Sequence, residues 1–534
     1  MDQDILHPLA YSACPHDCPS TCALEVELLD KEHIGRVKGA KANTYTSGVV
    51  CAKVARYAER THHPDRLTTP MRRKGEKGSG EFSPLSWDDA LDEVAEAFIK
   101  TNQQNGSESI WPYFYAGTMG LLQRDGINRL RHSMNYSGQH STICVTLARA
   151  GWGAGVGAFL GPDPREMAMS DLIISWGGNP ASTQVNAMTH IQKARKTRGA
   201  KLVVVDPYLT RTAQVADIHL PIRPGTDGAL ACAIMHILFR DGYADRTYLA
   251  EYSDFPNQLE QHLKTRTPQW ASDITGLQPS QIENFAQLYG QTKRSYIRIG
   301  YGFSRSRNGA VNIHAVSCLP TITGAWLEEG GGAFYTNGDI YHWDKTLIEG
   351  LDQRDPSVRM LDQCRIGPIL TGDKSDLGSG PPINAMLVQN TNPAVVAPET
   401  MKVLQGLRRE DLFFCVHEQF MTDTALYADI LIPATTFVEH NDIYQGGGHQ
   451  HIMLGPQLIE PIGQSRSNHR VICDLAKRLG AKHPGFEMTE EEVIDKTLKA
   501  SGWGDINKLR NDHWIDCQPS FHDSHFLSGV PNKD

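Results

Sequence analysis

Three cysteines fall within nine residues of the stretch "ACPHDCPSTCALEV", namely Cys14, Cys18 and Cys22, and a fourth, Cys51, follows in "GVVCAKVARY". No other feature limits the fold so sharply. The spacing C-x3-C-x3-C-x28-C asks one loop to present three thiols and a distant segment to return with the fourth. Disulfides, a zinc ion and an iron–sulfur cluster are the three uses of such a set. The chain has eleven cysteines, an odd number, thinly spread after Cys51, and "MDQDILHPLAYSAC" shows neither an apolar signal core nor a twin-arginine motif. It therefore reads as cytoplasmic, where structural disulfides are disfavoured. Zinc usually takes two separated C-x2-C pairs, often with a histidine. A [4Fe-4S] cubane suits three thiols on one loop and one from elsewhere. Zinc stays the alternative, with His16 either a ligand or an incidental loop histidine.

A length of 534 residues exceeds one hydrophobic core and implies several domains. The formal charge of −9 argues against a nucleic-acid partner. No apolar run approaches the ~18 residues of a membrane span, so direct membrane insertion is not expected.

From about residue 110 the pattern alternates. "SIWPYFYAG", "DLIISWGGNPAST" and "KLVVVDPYLTRTA" read as short apolar strands, and "ALACAIMHILFRDG" as a helix. The expected fold class is α/β and multidomain, with parallel sheets covered on both faces. Ligands of such sheets bind beyond the carboxyl ends of the strands, which nominates Gly117, Gly177, Gly178, Asn179 and Asp206. In "PLSWDDALDEVAEAFIK", Leu91, Val94, Ala95 and Phe98 form one helical face behind a Ser86 cap, which is scaffold. "GWGAGVGAFLG" imitates a dinucleotide fingerprint but follows no convincing strand, and it reads as a flexible or tightly packed glycine segment.

The run "CPHDCPSTCAL", then "GVVCAKVARYAERTHHPDRLTTPMRR", then "FSPLSWDDALDEVAEAF" resembles the start of the molybdopterin guanine dinucleotide oxidoreductases, the group of formate dehydrogenases, nitrate reductases and thiosulfate or polysulfide reductases. The order of motifs matches from Cys14 almost to the C-terminus. The resemblance implies a [4Fe-4S] cluster, two molybdopterin guanine dinucleotides between pseudo-symmetric α/β domains, and molybdenum or tungsten. It implies two-electron redox of a small-molecule substrate, with electrons leaving to a redox partner protein, ferredoxin-like or an iron–sulfur subunit. A non-catalytic electron-transfer subunit and a non-redox tungsten hydratase are the alternatives.

Carried over position by position, the resemblance assigns Lys53 to the space between cluster and pterin and Cys144, in "ICVTLARAG", to the metal. Formate dehydrogenases of this type carry a histidine after that ligand. Here Val145 follows, which argues against formate oxidation. The small-residue run "ARAGWGAG" is expected to give the cofactor room. The nucleotide tails fall to Gly177, Gly178 and Asn179, to Asp206 and Arg211, to Gly225, Thr226 and Asp227, and in the second half to Asn390, Asn392, Glu418, Thr422 and Thr424, with Glu439 beyond. Arg305, Arg307, Asn308 and Asn312 are expected to serve phosphates or substrate oxygens. The implied domains are an iron–sulfur domain at 1–63 with returning segments at 441–464 and 486–534, a discontinuous pterin domain at 64–140 and 336–440, and a second at 141–335. The family's closing C-terminal domain is expected to be absent.

Overall fold

The fold is that of a computed structural model, which describes residues 7–527 and Gly529. Residues 528 and 530–534 of the expected 486–534 segment lie outside the described residues. The N-terminal lobe is an antiparallel sheet of β1 (Leu9–Ala13), β2 (Ala23–Leu28) and β3 (Ile34–Gly39). Ala13 pairs with Ala23, so Cys14 and Cys22 extend the end of that ladder, and the Cys14 N–H donates to the Cys22 carbonyl at 2.9 Å. Cys18 sits in the loop between them. Cys51 is the residue just before α1 (Ala52–Ala55), which leads into α2 (Tyr57–Thr61).

The chain next lays down β4 (Met71–Arg73), β5 (Phe82–Pro84), α3 (Trp87–Asn105) and β6 (Ile110–Phe114). In α3 the Ser86 side chain accepts from the Asp89 N–H, Leu91, Val94, Ala95 and Phe98 are buried, and Gly106 at φ 83° ends the helix. This is the capped amphipathic segment that its spacing predicts.

The sheet begun by β4–β6 is then interrupted. A complete five-stranded sheet follows, with α4 (Thr146–Val156), β7 (Leu172–Trp176), β8 (Lys201–Val205), β9 (Ile218–Leu220), α5 (Asp227–Arg240), β10 (Ser295–Ile299), α6 (Gly309–Thr323) and β11 (Gly332–Phe334). Its order is β9-β8-β7-β10-β11, parallel throughout. Every residue of β7 and β10 is buried, as helix cover on both faces requires.

Only then do β12 (Ala385–Gln389), β13 (Phe413–Glu418) and β14 (Ile430–Pro433) return to the first sheet, giving β5-β4-β14-β13-β12-β6. β14, β13, β12 and β6 are parallel, and β4 joins the edge antiparallel. A last antiparallel sheet of β15 (Asp442–Gln445), β16 (His451–Gly455) and β17 (Trp514–Asp516) packs beside β1.

The glycine segment is helical. A Cβ on Gly151 would lie 2.0 Å from the Ala310 carbonyl oxygen, and one on Gly155 would lie 2.2 Å from Ser317 Oγ. These residues let α6 cross α4 closely. The room expected for a cofactor is taken by a neighbouring helix, which corrects that expectation.

Candidate functional site

The four N-terminal cysteines come together. Cys14, Cys18, Cys22 and Cys51 line one cavity of about 290 Å³, with His16, Asp17, Lys53, Gly117 and Thr183 among its other walls. Among the described residues no three His, Cys, Asp or Glu side chains are close enough to hold a single metal ion. Zinc would draw four sulfurs to about 2.3 Å from one point, and a [4Fe-4S] cluster would take one thiolate at each of its four irons. Burial pushes the Cys14 thiol up to about 12 and raises Cys18 and Cys22 as well. A bound cation must therefore displace protons that burial alone retains. The His16 imidazole is driven down to about 4 by burial, so it is neutral.

The cysteine loop leans on both neighbouring units. The Cys22 thiol donates to Asn186 Oδ1 at 3.2 Å, and Asn186 Nδ2 donates to the Thr46 and Val49 carbonyls. The Gly448 N–H donates to the Pro19 carbonyl at 2.8 Å. Behind the loop, Gln184 joins the Tyr45 hydroxyl at 2.9 Å to Arg298 Nε at 2.9 Å, which ties the lobe to β10. None of Asn186, Gln184 or Arg298 was nominated from sequence, because partners far apart in the chain leave no local pattern.

Cys144 lies two residues before α4, with Val145 as its cap. Arg305 donates to the Cys144 carbonyl at 3.0 Å and to its sulfur at 3.5 Å. Arg305 therefore clasps this thiol. Burial, then the Cys144 thiol and the Asp17 carboxyl, push the Tyr115 phenol well up. Burial also raises Asp17, with Arg124 and Arg305 opposing. A cysteine, two half-buried phenols (Tyr115 and Tyr301), a carboxyl and an arginine thus share one region.

At the strand ends the two sheets repeat one construction. Asn179 Oδ1 accepts from the Thr212 N–H at 3.3 Å and from its hydroxyl at 2.8 Å. Asn392 Oδ1 accepts from the Thr424 N–H at 3.1 Å and from its hydroxyl at 2.6 Å. Each threonine oxygen also accepts from an N–H just after the proline, Ala181 or Ala394, at 3.0 Å. The sequence carries the signal as "TRTAQVADI" at 210–218 and "TDTALYADI" at 422–430. Of the two bonded pairs, Asn179, Asn392 and Thr424 are nominated in the sequence and Thr212 is not. In register, Asp206 matches Glu418 and Gly177, at φ 64°, matches Asn390, at φ 57°. Burial raises both the Asp206 and Glu418 carboxyls. Thus Asn179, Asn392, Thr422 and Thr424 build the turns, while Asp206 and Glu418 stand at their mouths.

Asp227 accepts from Trp176 Nε1 at 2.9 Å, and burial holds its carboxyl above the usual range. Asn308 and Asn312 donate to the Gly225 carbonyl, so these two amides brace the Gly225–Asp227 turn. The Thr226 hydroxyl donates to the Arg223 carbonyl, and Arg211 and Arg307 are exposed. Glu439 is fully tied to Arg66, 3.0 Å away, in a buried ion pair. Gly117 fits where a Cβ would meet the Asn390 carbonyl oxygen at 2.5 Å.

The molybdopterin oxidoreductase model matches residues 66–478, most of the chain, and the molybdopterin oxidoreductase Fe4S4 domain matches residues 9–63. The chain belongs to the molybdopterin oxidoreductase family. It is 39% identical to the probable oxidoreductase YoaE of Bacillus subtilis, across 91% of this chain and 71% of that protein. It is 27% identical to dimethyl sulfoxide reductase DmsA of Escherichia coli, across 90% of this chain but 65% of the relative, less than two thirds of its length. Acetylene hydratase from Pelobacter acetylenicus shares the fold, with a TM-score of 0.78 at 19% identity, covering 95% of this chain and 74% of that one.

A molybdopterin oxidoreductase with an Fe4S4 domain carries a molybdopterin and a [4Fe-4S] cluster, and the residues present fit both. The four thiols line one cavity. The paired Asn–Thr turns leave backbone and buried carboxyls at the strand ends, where such sheets take ligands. Lys53 borders the cysteine cavity and also an open groove with Arg56, Arg60, His63 and Phe420. Among the described residues no helix is long and apolar enough to cross a membrane.

Proposed function

We propose that this oxidoreductase reduces an oxygen-bearing sulfur or nitrogen compound by two electrons, drawing them singly from a carrier protein through the [4Fe-4S] cluster. Cys14, Cys18, Cys22 and Cys51 ligate the cluster, Lys53 stands between it and the pterin, and Cys144 ligates molybdenum or tungsten. When bound, the metal and its two pterin guanine dinucleotides supply the two-electron chemistry, while the chain supplies ligation, orientation and electrostatics. In the balanced half-reaction, a sulfoxide consumes two protons and two electrons and yields the corresponding thioether and one water. The S–O bond breaks, sulfur is reduced and the carrier is oxidised.

The observation that carries this reading is the Arg305 clasp on Cys144 at a helix start, in the same region as the cysteine cavity. Two bonds from one guanidinium fix the carbonyl and sulfur of Cys144 just ahead of α4. Asp206, Asp227 and the turns around Gly177 and Gly178 hold one nucleotide, and Glu418 with the turns around Asn390 and Asn392 holds the other. The dimethyl sulfoxide reductase activity in DmsA's name supports the oxide as acceptor. The absence of a histidine after Cys144 keeps formate a poor substrate.

Metal, iron and guanine-nucleotide analysis of anaerobically purified protein, followed by dye-linked assay with sulfoxides, N-oxides and formate, tests this. Turnover of an oxide with dye oxidation supports it. Hydration of a substrate without dye oxidation would replace it with the non-redox hydratase reading. Full iron with neither molybdenum nor tungsten would replace it with an electron-transfer subunit.

A further inference from the structure

The helix Ile127–Ser133 carries a guanidinium that the chain does not satisfy. Arg131 is only 7% exposed, and its Nε and Nη1 have no hydrogen-bond partner. Among the described residues no carboxylate stands within ion-pair reach of it. Burial pulls the group down to about 10, so it keeps its charge at neutral pH. An uncompensated buried charge is strongly destabilising, and an arginine so placed calls for a counter-ion.

The nearest carboxylates are engaged elsewhere. Glu349 and Asp125 are the two whose charge acts on Arg131. Glu349 pairs with Lys345 at 3.3 Å and accepts from Asn128 Nδ2 at 3.1 Å. Asp125 pairs with Arg124 at 2.6 Å and with Lys345 at 2.9 Å. Arg124, Lys345 and Arg131 thus share two carboxylates, and only the first two cations are paired.

Arg131 instead lines a small cavity. Its volume is about 30 Å³, and the wall continues through His132 and Asn135 to Arg354 and Asp355. A water needs about 10–15 Å³ of such space, so there is room for one small ion and for no organic group. Arg354 is exposed and, among the described residues, paired with no carboxylate. Asn135 adds an exposed amide. His132 Nδ1 donates to the Glu349 carbonyl at 2.8 Å, and burial lowers its imidazole, so the ring brings no charge at neutral pH. Asp355 is the one carboxylate on this wall. Its Oδ1 accepts from the Ser357 N–H at 2.8 Å and from the Ser357 hydroxyl at 2.6 Å, and it pairs with neither arginine. Two guanidinium charges against one carboxylate leave the cavity positive.

We propose that this cavity binds one small inorganic anion, of halide size, between Arg131 and Arg354, with the Asn135 amide as a third donor. The anion supplies Arg131 with the counter-charge that Glu349 and Asp125 give to other cations. It joins the helix Ile127–Ser133 to the segment 354–360, where Met360 begins the short strand that pairs with Gly138. Binding to the folded chain alone raises stability with anion concentration. The proposal does not depend on which acceptor the enzyme reduces.

The probes are chloride and bromide, with gluconate as an oversized control at matched ionic strength. Line broadening in chloride NMR on the purified protein should saturate, and the midpoint of thermal unfolding should rise with chloride but not with gluconate. Arg131→Met should weaken binding about tenfold or more and Arg354→Gln several-fold, with the cluster spectrum unchanged in both. In crystals grown with bromide, the anomalous peak should stand beside Arg131. Should Arg131→Met fail to fold, Arg354→Gln, at an exposed position, decides the matter. Broadening that does not saturate, chloride binding that survives both substitutions, or a bromide-grown crystal with only ordered water beside Arg131 overturns the proposal.

Discussion

The Cys18 thiol donates to the Thr183 carbonyl across 2.8 Å and 165 residues of chain. Thr183 belongs to the short helix that begins at Pro180, directly after Asn179. The cysteine loop and the strand-end turn of the five-stranded sheet thus touch through one hydrogen bond.

Replacing any one of Cys14, Cys18, Cys22 or Cys51 by serine should remove the cluster's absorbance and cut iron well below four per chain. Cys144→Ala should leave iron and the cluster spectrum intact while lowering turnover by several orders of magnitude. Elemental analysis with electron paramagnetic resonance reads both. A Cys144→Ala protein with full activity would refute the ligand assignment.

Thr212→Val and Thr424→Val each remove a hydroxyl that both donates to an asparagine oxygen and accepts from a backbone N–H. Leaving such groups buried and unpaired costs about 1–3 kcal/mol. Because the two turns repeat, thermal unfolding should show similar losses. Guanine nucleotide retained after purification should fall in both variants. A loss confined to one would mean the two turns are not equivalent in use.

Gly300→Ala places a Cβ 2.2 Å from the Gly177 carbonyl oxygen, against backbone that has no rotamer to give way. The expected cost is about 1–3 kcal/mol or more, with cofactor content dropping as the Gly177–Gly178 turn shifts. Chemical denaturation checks the first part and nucleotide analysis the second. Wild-type values for both would show that the turn yields.

His417 is the next-to-last residue of β13, with Nδ1 accepting from Gln389 and Nε2 donating to the Arg466 carbonyl at 3.0 Å. Burial lowers its imidazole to about 4 from an ordinary 6.5. The folded value is below the unfolded one, so the unfolded chain binds the proton more readily. Stability is therefore full above pH ~6.5 and falls as pH drops toward about 4, by up to roughly 3 kcal/mol for this group. His417→Gln should flatten that slope in denaturation series between pH 7 and pH 4. An unchanged slope would assign the acid loss to other groups.

Much of this was legible in the sequence. Short apolar strands with Gly-Gly or Asn-Pro after them declare a parallel sheet, and the α3 pattern declares its own cap and core face. The glycine run reads as either flexible or tightly packed, and only its partner α6, some 160 residues away, decides for packing. Asn392 and Thr424 were both picked out as cofactor contacts. That they bond to each other was hidden, because 32 residues separate them. Gln184 and Arg298 gave no signal, since each gains its meaning only from a neighbour supplied by another element.

The interruption of the six-stranded sheet also sets the order in which the chain can fold. Among the described residues β6 has its only ladder partner in β12, so it must wait until residue 385 has been synthesised. The five-stranded sheet lies wholly between them and closes its own core first. β4, β5 and β6 meanwhile stand with open edges, and such long-range parallel pairing is slow and exposed to aggregation. The unit carrying Asn179 should acquire protection from hydrogen exchange early and the one carrying Asn392 late. The two Asn–Thr turns, alike in construction, are then ready at different times.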